Sequence, residues 1–205
     1  MNPARIVVLV SGSGSNLQAL LDQPDLRERV VAVASDNPDA TGLARAADIG
    51  IATAAVALRD HADRATWEAA LADVVADAAP DLVVLAGFMK ILSGAFVSRW
   101  PTVNVHPSLL PAFAGAHAPA DAVAWGVKLS GVTVHYVDEQ VDHGPIIAQE
   151  AVAVLPGDTA ESLHARIQTV EHRLLPAVVR AICEGRVTVD GRHVTVHDPP
   201  EDPSA

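Results

Sequence analysis

The sequence has few aromatic residues, a single cysteine and a deficit of basic residues. Phe, Trp and Tyr make up 3% of its 205 residues, so Ala, Val and Leu have to build most of the core. Cys183 stands alone, which excludes an intramolecular disulfide and fits a reducing compartment. Its place late in an apolar segment, A-I-C-E, favours a buried structural thiol over a nucleophile.

The charge balance excludes a further class of partner. Against 14 Lys and Arg residues the chain carries 25 Asp and Glu residues, which gives a formal net charge of -11 at pH 7. A nucleic-acid groove needs a surplus of basic side chains to neutralise phosphates, so we expect no nucleic-acid partner. A small anionic substrate needs only one local cluster of donors and is compatible with this charge.

Long apolar runs are also missing. None approaches the roughly 18 residues of a membrane helix. The N-terminus, M-N-P-A-R-I-V-V-L-V-S-G, lacks the apolar region and cleavage site of a signal peptide, so we expect a soluble cytoplasmic protein.

The length predicts one domain over residues 1–196, with a nucleotide- or phosphate-binding half (1–101) and a catalytic half (102–196). Residues 197–205 are rich in Pro and acid and predict a disordered tail.

The order of predicted elements indicates a doubly wound α/β fold. Continuous apolar runs predict strands at residues 5–10, 30–35, 51–56, 81–86 and 103–105. Helical segments follow the first four strands, and this alternation predicts a Rossmann-like, mostly parallel sheet. Residues 131–138 and 146–154 predict an antiparallel C-terminal extension, joined by an acidic turn.

The end of the chain predicts one long helix and a small hairpin. Asp158 and Glu161 form a potential capping pair at the start of the helix. Pro176 should kink this helix, and Gly185 should end it. Residues 187–189 and 193–196 flank an Asp-Gly turn and predict the hairpin.

The first loop of the sheet predicts an anion site. S-G-S-G-S-N at residues 11–16 separates a strand from a helix, and free N–H groups at such a junction favour a phosphate. The spacing matches neither G-x-G-x-x-G nor a Walker A loop, which disfavours dinucleotide binding and nucleotide hydrolysis. A tight turn with an Asn or Ser cap is the alternative.

The segment V-N-V-H-P-S-L-L-P at residues 103–111 predicts a catalytic centre. Asn104 and His106 share one face at a strand end, where open α/β sheets bind ligands. Asp142 lies in a turn that could fold back over them, raise the pKa of His106 and make it a proton donor. Asn104 would add an uncharged donor for an oxyanion. A capped strand end with solvated side chains is the alternative, and Leu110–Pro111 is a candidate cis peptide.

Two rival chemistries find little support. Nine histidines are scattered without H-x-x-x-H or H-E-x-x-H spacing, so we expect no metal site. Ser108 stands in H-P-S-L-L-P rather than in the G-x-S-x-G elbow of a serine hydrolase.

Four motifs carry a resemblance to a known family. S-G-S-G-S-N-L, A-G-F-M-K-I-L, N-V-H-P-S-L-L-P and D-H-G-P-I occur in the order and spacing of the folate-dependent formyltransferases, over roughly residues 5–190. The first motif and the length resemble the branch that acts on glycinamide ribonucleotide in purine synthesis. The alternatives are a formyltetrahydrofolate deformylase and a non-catalytic folate- or nucleotide-binding module.

The resemblance implies roles for particular residues. The catalytic residues would be Asn104, His106 and Asp142. The phosphate and ribose of the substrate would be bound by Gly14, Ser15, Asn16, Gln168 and Glu171. The folate would be bound by Arg64, Met89, Lys90, Ile91, Leu92, Asn104, Asp138 and Val141.

The resemblance also implies the reaction and its partners. The co-substrate would be 10-formyltetrahydrofolate, the acceptor glycinamide ribonucleotide, and the enzyme a monomer or homodimer that uses no metal. The folate-binding half would be the catalytic half, residues 102–196. Pro119 and His143 depart from the family pattern and lie beside the expected substrate and folate loops.

Overall fold

A computed structural model describes residues 4–199. Its strands are β1 (Ile6–Val10), β2 (Val30–Ser35), β3 (Ala52–Ala55), β4 (Leu82–Leu85), β5 (Thr102–His106), β6 (Leu129–Tyr136), β7 (Ile146–Ala153), β8 (Val187–Asp190) and β9 (His193–Val196). Its α-helices are α1 (Ser15–Leu21), α2 (Pro24–Arg27), α3 (Thr41–Ala47), α4 (Arg64–Asp77), α5 (Gly94–Val97), α6 (Ala118–Trp125) and α7 (Ala160–Cys183). A 3₁₀ turn, Leu58–Asp60, follows β3. No helix in this range is long and apolar enough to cross a membrane.

The main sheet has the predicted mixed topology. Its seven strands lie in the order β3-β2-β1-β4-β5-β6-β7. The pairs from β3 to β5 are parallel, whereas β5–β6 and β6–β7 are antiparallel. The chain moves outward from β1 to β3 and then crosses back to β4, so the carboxyl ends of β1 and β4 flank a topological switch point, where such sheets bind ligands. The prediction of a doubly wound, mostly parallel sheet with an antiparallel extension is confirmed.

Both faces of this sheet are covered by apolar side chains. In β1, Ile6, Val8 and Val10 belong to one core cluster, and Val7 and Leu9 belong to the other. All five are 0% exposed. Because alternate residues of a strand point to opposite faces, a strand buried on both sides appears as a continuous apolar run.

The start of α1 differs from the prediction. Its N-cap is Gly14, in the left-handed region at φ 71, and no side chain caps the helix. A Cβ on Gly14 would lie 2.6 Å from the Cα of Gly42, so the close approach of these two backbone segments requires glycine. The alternative reading of this loop, a turn capped by Asn or Ser, is therefore wrong, and the side chain of Asn16 is turned toward α7.

The start of α7 also differs by one residue. The N-cap is Thr159, and its hydroxyl and that of Ser162 form a reciprocal capping box, so the predicted pair of Asp158 and Glu161 is wrong. Asp158 accepts from Leu155 N and pairs with Arg166 instead. The helix continues through Pro176 to Cys183, over 24 residues.

The buried stripe of α7 follows a different set of residues from the predicted one. Leu163, Ile167 and Val178 are buried as expected, but Val170, Leu174 and Ile182 are only partly buried. The other buried residues of the helix are Glu171, Leu175, Pro176, Val179 and Ala181. The buried face of α7 therefore includes Glu171, an acidic residue that a search for periodic apolar residues does not select.

Two local predictions concern proline and the chain end. The Leu110–Pro111 peptide bond is cis, as predicted.

At the end of the hairpin, His197 N donates to Arg186 O over 2.8 Å, so the predicted tail begins with a hydrogen-bonded residue. Residues 200–205 of that tail lie outside the described residues, as do residues 1–3 of the predicted domain.

Candidate active site

A cleft opens at the carboxyl ends of β4 and β5, beside the topological switch point. It encloses about 200 Å³ between the segment after β4, the end of β5 and the turn that joins β6 to β7. Its lining includes residues 87–92, Asn104, His106, Gly115, His135, Asp138, Val141 and Asp142.

Asn104, His106 and Asp142 meet in this cleft. Asn104 and His106 lie two residues apart on β5, so their side chains point to the same face. Asp142 Oδ2 is 3.3 Å from His106 Nδ1, and Asp142 Oδ1 accepts from Asn104 Nδ2 over 3.4 Å. Gly115 N also donates to Asp142 Oδ2, over 2.8 Å, which ties the loop after β5 to the same carboxylate. Asp142 has a left-handed backbone, at φ 52.

The pKa of His106 does not move in the direction expected from Asp142 alone. The residue is 4% exposed, and this burial lowers the pKa of the imidazole below its ordinary value. Asp142 and the Phe113 carbonyl act in the opposite direction but do not outweigh burial. The prediction of a raised pKa is therefore wrong, because it counted the neighbouring charge and omitted desolvation.

The contacts of His106 nevertheless favour a proton on each ring nitrogen. Nε2 lies 2.8 Å from the Phe113 carbonyl oxygen and must donate to it. Nδ1 then faces the Asp142 carboxylate, where a bare lone pair would be repelled. The imidazolium satisfies both acceptors, and burial limits the pH range over which this form is populated.

The acidity of Asp142 has several sources. Burial alone would raise its pKa, but contacts with His135, the Gly115 N–H and His106 outweigh burial and hold the pKa below its usual range. Asp142 is therefore a carboxylate at neutral pH, as a partner for an imidazolium must be.

His135 is a member of the site that the sequence reasoning missed. It lies on β6 directly across from Asn104, and it is 1% exposed. Nδ1 contacts the Tyr136 carbonyl at 2.8 Å, and Nε2 contacts Asn104 Nδ2 at 3.2 Å. Nε2 also lies 3.7 Å from Asp142 Oδ1, so the ring contacts two of the three predicted catalytic side chains. The strict alternation of residues 131–138 would have found His135 if the register between β5 and β6 had been known.

The residues predicted to hold phosphate and ribose lie where α1 packs against α7. Asn16 Nδ2 donates to Glu171 Oε2 over 3.0 Å, and Glu171 is 3% exposed. Burial raises the pKa of the Glu171 carboxyl. Asn16 Oδ1 is buried and has no hydrogen-bond partner among the described residues. Gly14 and Ser15 begin α1, and the half-buried Gln168 lies one turn before Glu171 on α7.

The predicted folate wall, residues 89–92, lines the cleft after β4. Met89 and Ile91 are 68% and 61% exposed, whereas Leu92 is buried. Lys90 Nζ lies 3.4 Å from the Asp36 carboxylate, so its charge is directed toward β2. Arg64, at the start of α4, donates to the Ile91 carbonyl and lies outside the lining of the cleft.

The two departures from the family pattern have local explanations. Pro119 occupies the first turn of α6, where a missing N–H costs nothing. His143 Nδ1 bonds the Asp138 carboxylate at 2.7 Å, and Arg192 donates to the His143 carbonyl over 2.8 Å. The imidazole of His143 thus stays within its own turn, and the backbone carbonyl at this position links the turn that carries Asp142 to the C-terminal hairpin.

Other chemistries find no assembled site in residues 4–199. No group of three His, Cys, Asp or Glu side chains there could hold a metal ion. Burial raises the pKa of the Cys183 thiol to about 11, which leaves it protonated and unreactive at neutral pH.

Comparisons with known proteins identify the family of the chain. Residues 4–179 match the family model described as formyl transferase. The phosphoribosylglycinamide formyltransferase of Mycobacterium tuberculosis is 50% identical over 198 residues, which cover 95% of this chain and 92% of the relative. The Escherichia coli enzyme of the same name is 43% identical over 187 residues, covering 89% of this chain and 88% of the relative.

A solved structure extends the likeness to the fold. The crystal structure of glycinamide ribonucleotide transformylase 1 from Symbiobacterium toebii superposes with a TM-score of 0.91 at 45% identity, covering 96% of this chain and 95% of that one. A family match over most of the chain, close relatives of similar length and this superposition agree, and the chain belongs to the formyl transferase family.

Proposed function

We propose that the chain transfers the formyl group of 10-formyltetrahydrofolate to the amine of glycinamide ribonucleotide, in purine biosynthesis. The products are the N-formyl ribonucleotide and tetrahydrofolate. The observation that carries the proposal is the convergence of Asn104, His106 and Asp142 in one cleft, in a chain whose relatives of similar length are phosphoribosylglycinamide formyltransferases. These relatives favour the transferase over a deformylase or a binding module.

The reaction is a direct transfer between two bound substrates. The amine nitrogen forms a bond with the formyl carbon, and the bond from that carbon to the folate nitrogen N10 then breaks. A proton leaves the amine, passes to the Asp142 carboxylate and reaches the departing N10. Alignment of the two reactants supplies much of the rate, so an acyl-enzyme is unnecessary and no activated Ser or Cys is required.

Asn104 and His106 stabilise the charge that develops on the formyl oxygen. The Asn104 amide and the imidazolium are both donors at one strand end, and donors fixed by the fold act strongly on a developing oxyanion. Asn104 Nδ2 contacts His135 Nε2 and Asp142 Oδ1, which hold the amide in place, so one of these two contacts has to be released when the amide donates to the formyl oxygen.

The loop after β5 has to move for this hydrogen bond to form. His106 Nε2 donates to the Phe113 carbonyl in the structure, so that carbonyl has to withdraw before Nε2 can donate to a formyl oxygen. Phe113 has a left-handed backbone, at φ 53, which is a costly conformation for an aromatic residue. Relief of that strain would offset part of the cost of moving the loop.

The phosphate and ribose would be bound at the junction of α1 and α7. Gly14, Ser15 and Asn16 would present N–H groups of the first helical turn to the phosphate. Glu171 would bond the ribose hydroxyls, with Gln168 beside it. The unpartnered Oδ1 of Asn16 supports a polar ligand at this place.

The folate would be bound between the segment after β4 and the turn between β6 and β7. Met89, Ile91 and Leu92 would supply apolar contacts, and Asp138 and Val141 would line the opposite side. Arg64 would contact the folate only near the outer end of the wall, beside the Ile91 carbonyl. We expect a monomer or homodimer, which light scattering would show, and a reaction that tolerates a metal chelator.

A steady-state assay with and without the ribonucleotide tests the proposal. With both substrates, tetrahydrofolate should be released in proportion to formylated ribonucleotide. If the folate loses its formyl group at the same rate without the ribonucleotide, the protein is a deformylase. If folate binds but no product forms, and Asn104→Ala changes affinity alone, it is a binding module.

A further inference from the structure

A buried carboxylate lies behind the cleft, outside the residues assigned to the reaction. Asp36 follows the carboxyl end of β2, and its side chain is 7% exposed. Its Oδ1 accepts from the Ser11 hydroxyl, and its Oδ2 lies 3.4 Å from Lys90 Nζ. Ionised groups this deeply buried need partners, and Asp36 has one on each oxygen.

Ser11 relays the contact of Asp36 to the folate wall. Its hydroxyl has one proton, which it donates to Asp36, and it accepts from the Met89 N–H over 2.8 Å. Ser11 N also donates to the Gly87 carbonyl over 3.1 Å. The Met89 N–H thus donates to the Ser11 hydroxyl, which donates in turn to Asp36. The carboxylate is the acceptor that ends this series of hydrogen bonds.

The two segments joined in this way belong to different substrate sites. Ser11 opens the loop that leads to the proposed phosphate site at residues 14–16. Met89 and Lys90 begin the proposed folate wall, whose exposed Met89 and Ile91 side chains do little to anchor it in the core. Asp36 thus links the start of the loop that leads to one site with the first residues of the other.

We propose that Asp36 is a positioning residue that couples the binding of the two substrates, through Ser11 on one side and Lys90 on the other. The inference rests on the proposed function, because it takes the two segments as the phosphate and folate sites. Binding of one substrate restricts the motion of the segment that contacts it, either the loop that begins at Ser11 or the wall that begins at Met89. Because Asp36 contacts both segments, the other segment also becomes less mobile, so each ligand increases the affinity for the other. The charge of Lys90 serves this anchor.

Calorimetry on the full chain measures the coupling. The affinity for glycinamide ribonucleotide is determined alone and with saturating tetrahydrofolate, which carries no formyl group and cannot react. The wild-type protein should bind the ribonucleotide about fivefold or more tightly when tetrahydrofolate is present, within the usual range of coupling between sites. Asp36→Asn should reduce this factor to less than about twofold, because it removes the charge that holds Lys90.

Three further variants separate coupling from general stability. Asp39→Asn makes the same charge change at an exposed place in the same turn and should keep the wild-type factor. Lys90→Met should lose the coupling, and Lys90→Arg should keep most of it. The double variant of Asp36→Asn and Lys90→Met should be no worse than either single variant, since both remove one interaction.

The outcomes distinguish this inference from the proposed function. If the wild-type protein binds neither ligand, the proposed function fails. If it binds both without mutual effect, or if Asp36→Asn melts at a lower temperature but keeps the full coupling factor, the positioning role is refuted. Should Asp36→Asn fail to fold, Lys90→Met still tests the same pair, because the Lys90 side chain is 33% exposed and tolerates change.

Discussion

Replacing Asp142 by Asn is the sharpest test of the proposed catalytic centre. The substitution keeps the shape of the side chain and removes the charge that lies 3.3 Å from His106 Nδ1. At an effective dielectric constant of about 20, two unit charges at this distance interact by about 5 kcal/mol. Loss of this attraction should lower the pKa of His106 further. Since about 1.4 kcal/mol corresponds to a factor of ten, turnover at neutral pH should fall by about 10³- to 10⁴-fold.

The pH dependence of Asp142→Asn should identify the cause of the loss. The imidazolium is populated below the pKa of His106 in the folded protein and is lost as the pH rises through it. Burial already holds this pKa below its ordinary value, and loss of Asp142 lowers it further. The alkaline limb of the rate profile should therefore move to lower pH, and part of the activity should return on acidification.

The assay is the steady-state release of tetrahydrofolate at saturating concentrations of both substrates, over a series of pH values. Glu139→Gln is the matched control, because it makes the same charge change at an exposed residue of the same turn and should leave turnover and its profile unchanged. Turnover of Asp142→Asn within tenfold of wild type, or a loss of equal size at every pH, would refute the role given to the carboxylate.

Three other predictions concern the oxyanion donor, the buried acid and a helix cap. Asn104→Ala should lower turnover by about 10²- to 10³-fold, since one fixed donor is lost; a change confined to the KM of the folate would contradict this role. Burial raises the pKa of Glu171, so the ionised form is costly, and wild-type stability should fall as pH rises from the ordinary range through the raised pKa. Glu171→Gln keeps an acceptor for Asn16, so its melting temperature relative to wild type should rise with pH, and a constant difference would exclude a buried ionisable group. Thr159→Ala removes the reciprocal cap with Ser162 and should lower the free energy of unfolding by about 1 kcal/mol in denaturant titrations; no shift in the midpoint would mean that Asp158 replaces the cap.

Much of the fold could be predicted because its strands are buried on both faces. The runs at β1 and β4 are continuously apolar for that reason, and turn residues separate them from the helices. The helix caps were harder to predict, because adjacent residues compete for the same place. Asp158 and Thr159 are both good caps, and only the packing of Arg166 against Asp158 leaves Thr159 to cap α7.

The membership of the site could be predicted in part, and its protonation could not. Asn104 and His106 are two residues apart at the end of a strand, a relation that the sequence contains. His135 required the register of β5 and β6, and the Asp36 carboxylate required the neighbouring ends of β1, β2 and β4. The pKa of His106 depends on burial by the loop that follows it, which no local pattern encodes.

The link between Arg192 and the turn that carries Asp142 has a consequence for synthesis of the chain. The two residues of this contact, Arg192 and His143, are 49 positions apart. At the usual pace of translation, roughly 2 to 10 s pass between them, so the turn that carries Asp142 is made well before the hairpin that contacts it. Glu171, the partner of Asn16, follows it by 155 positions. A nascent chain that ends before α7 therefore has all seven strands of the main sheet but lacks Gln168 and Glu171, and such a fragment should fail to bind the ribonucleotide.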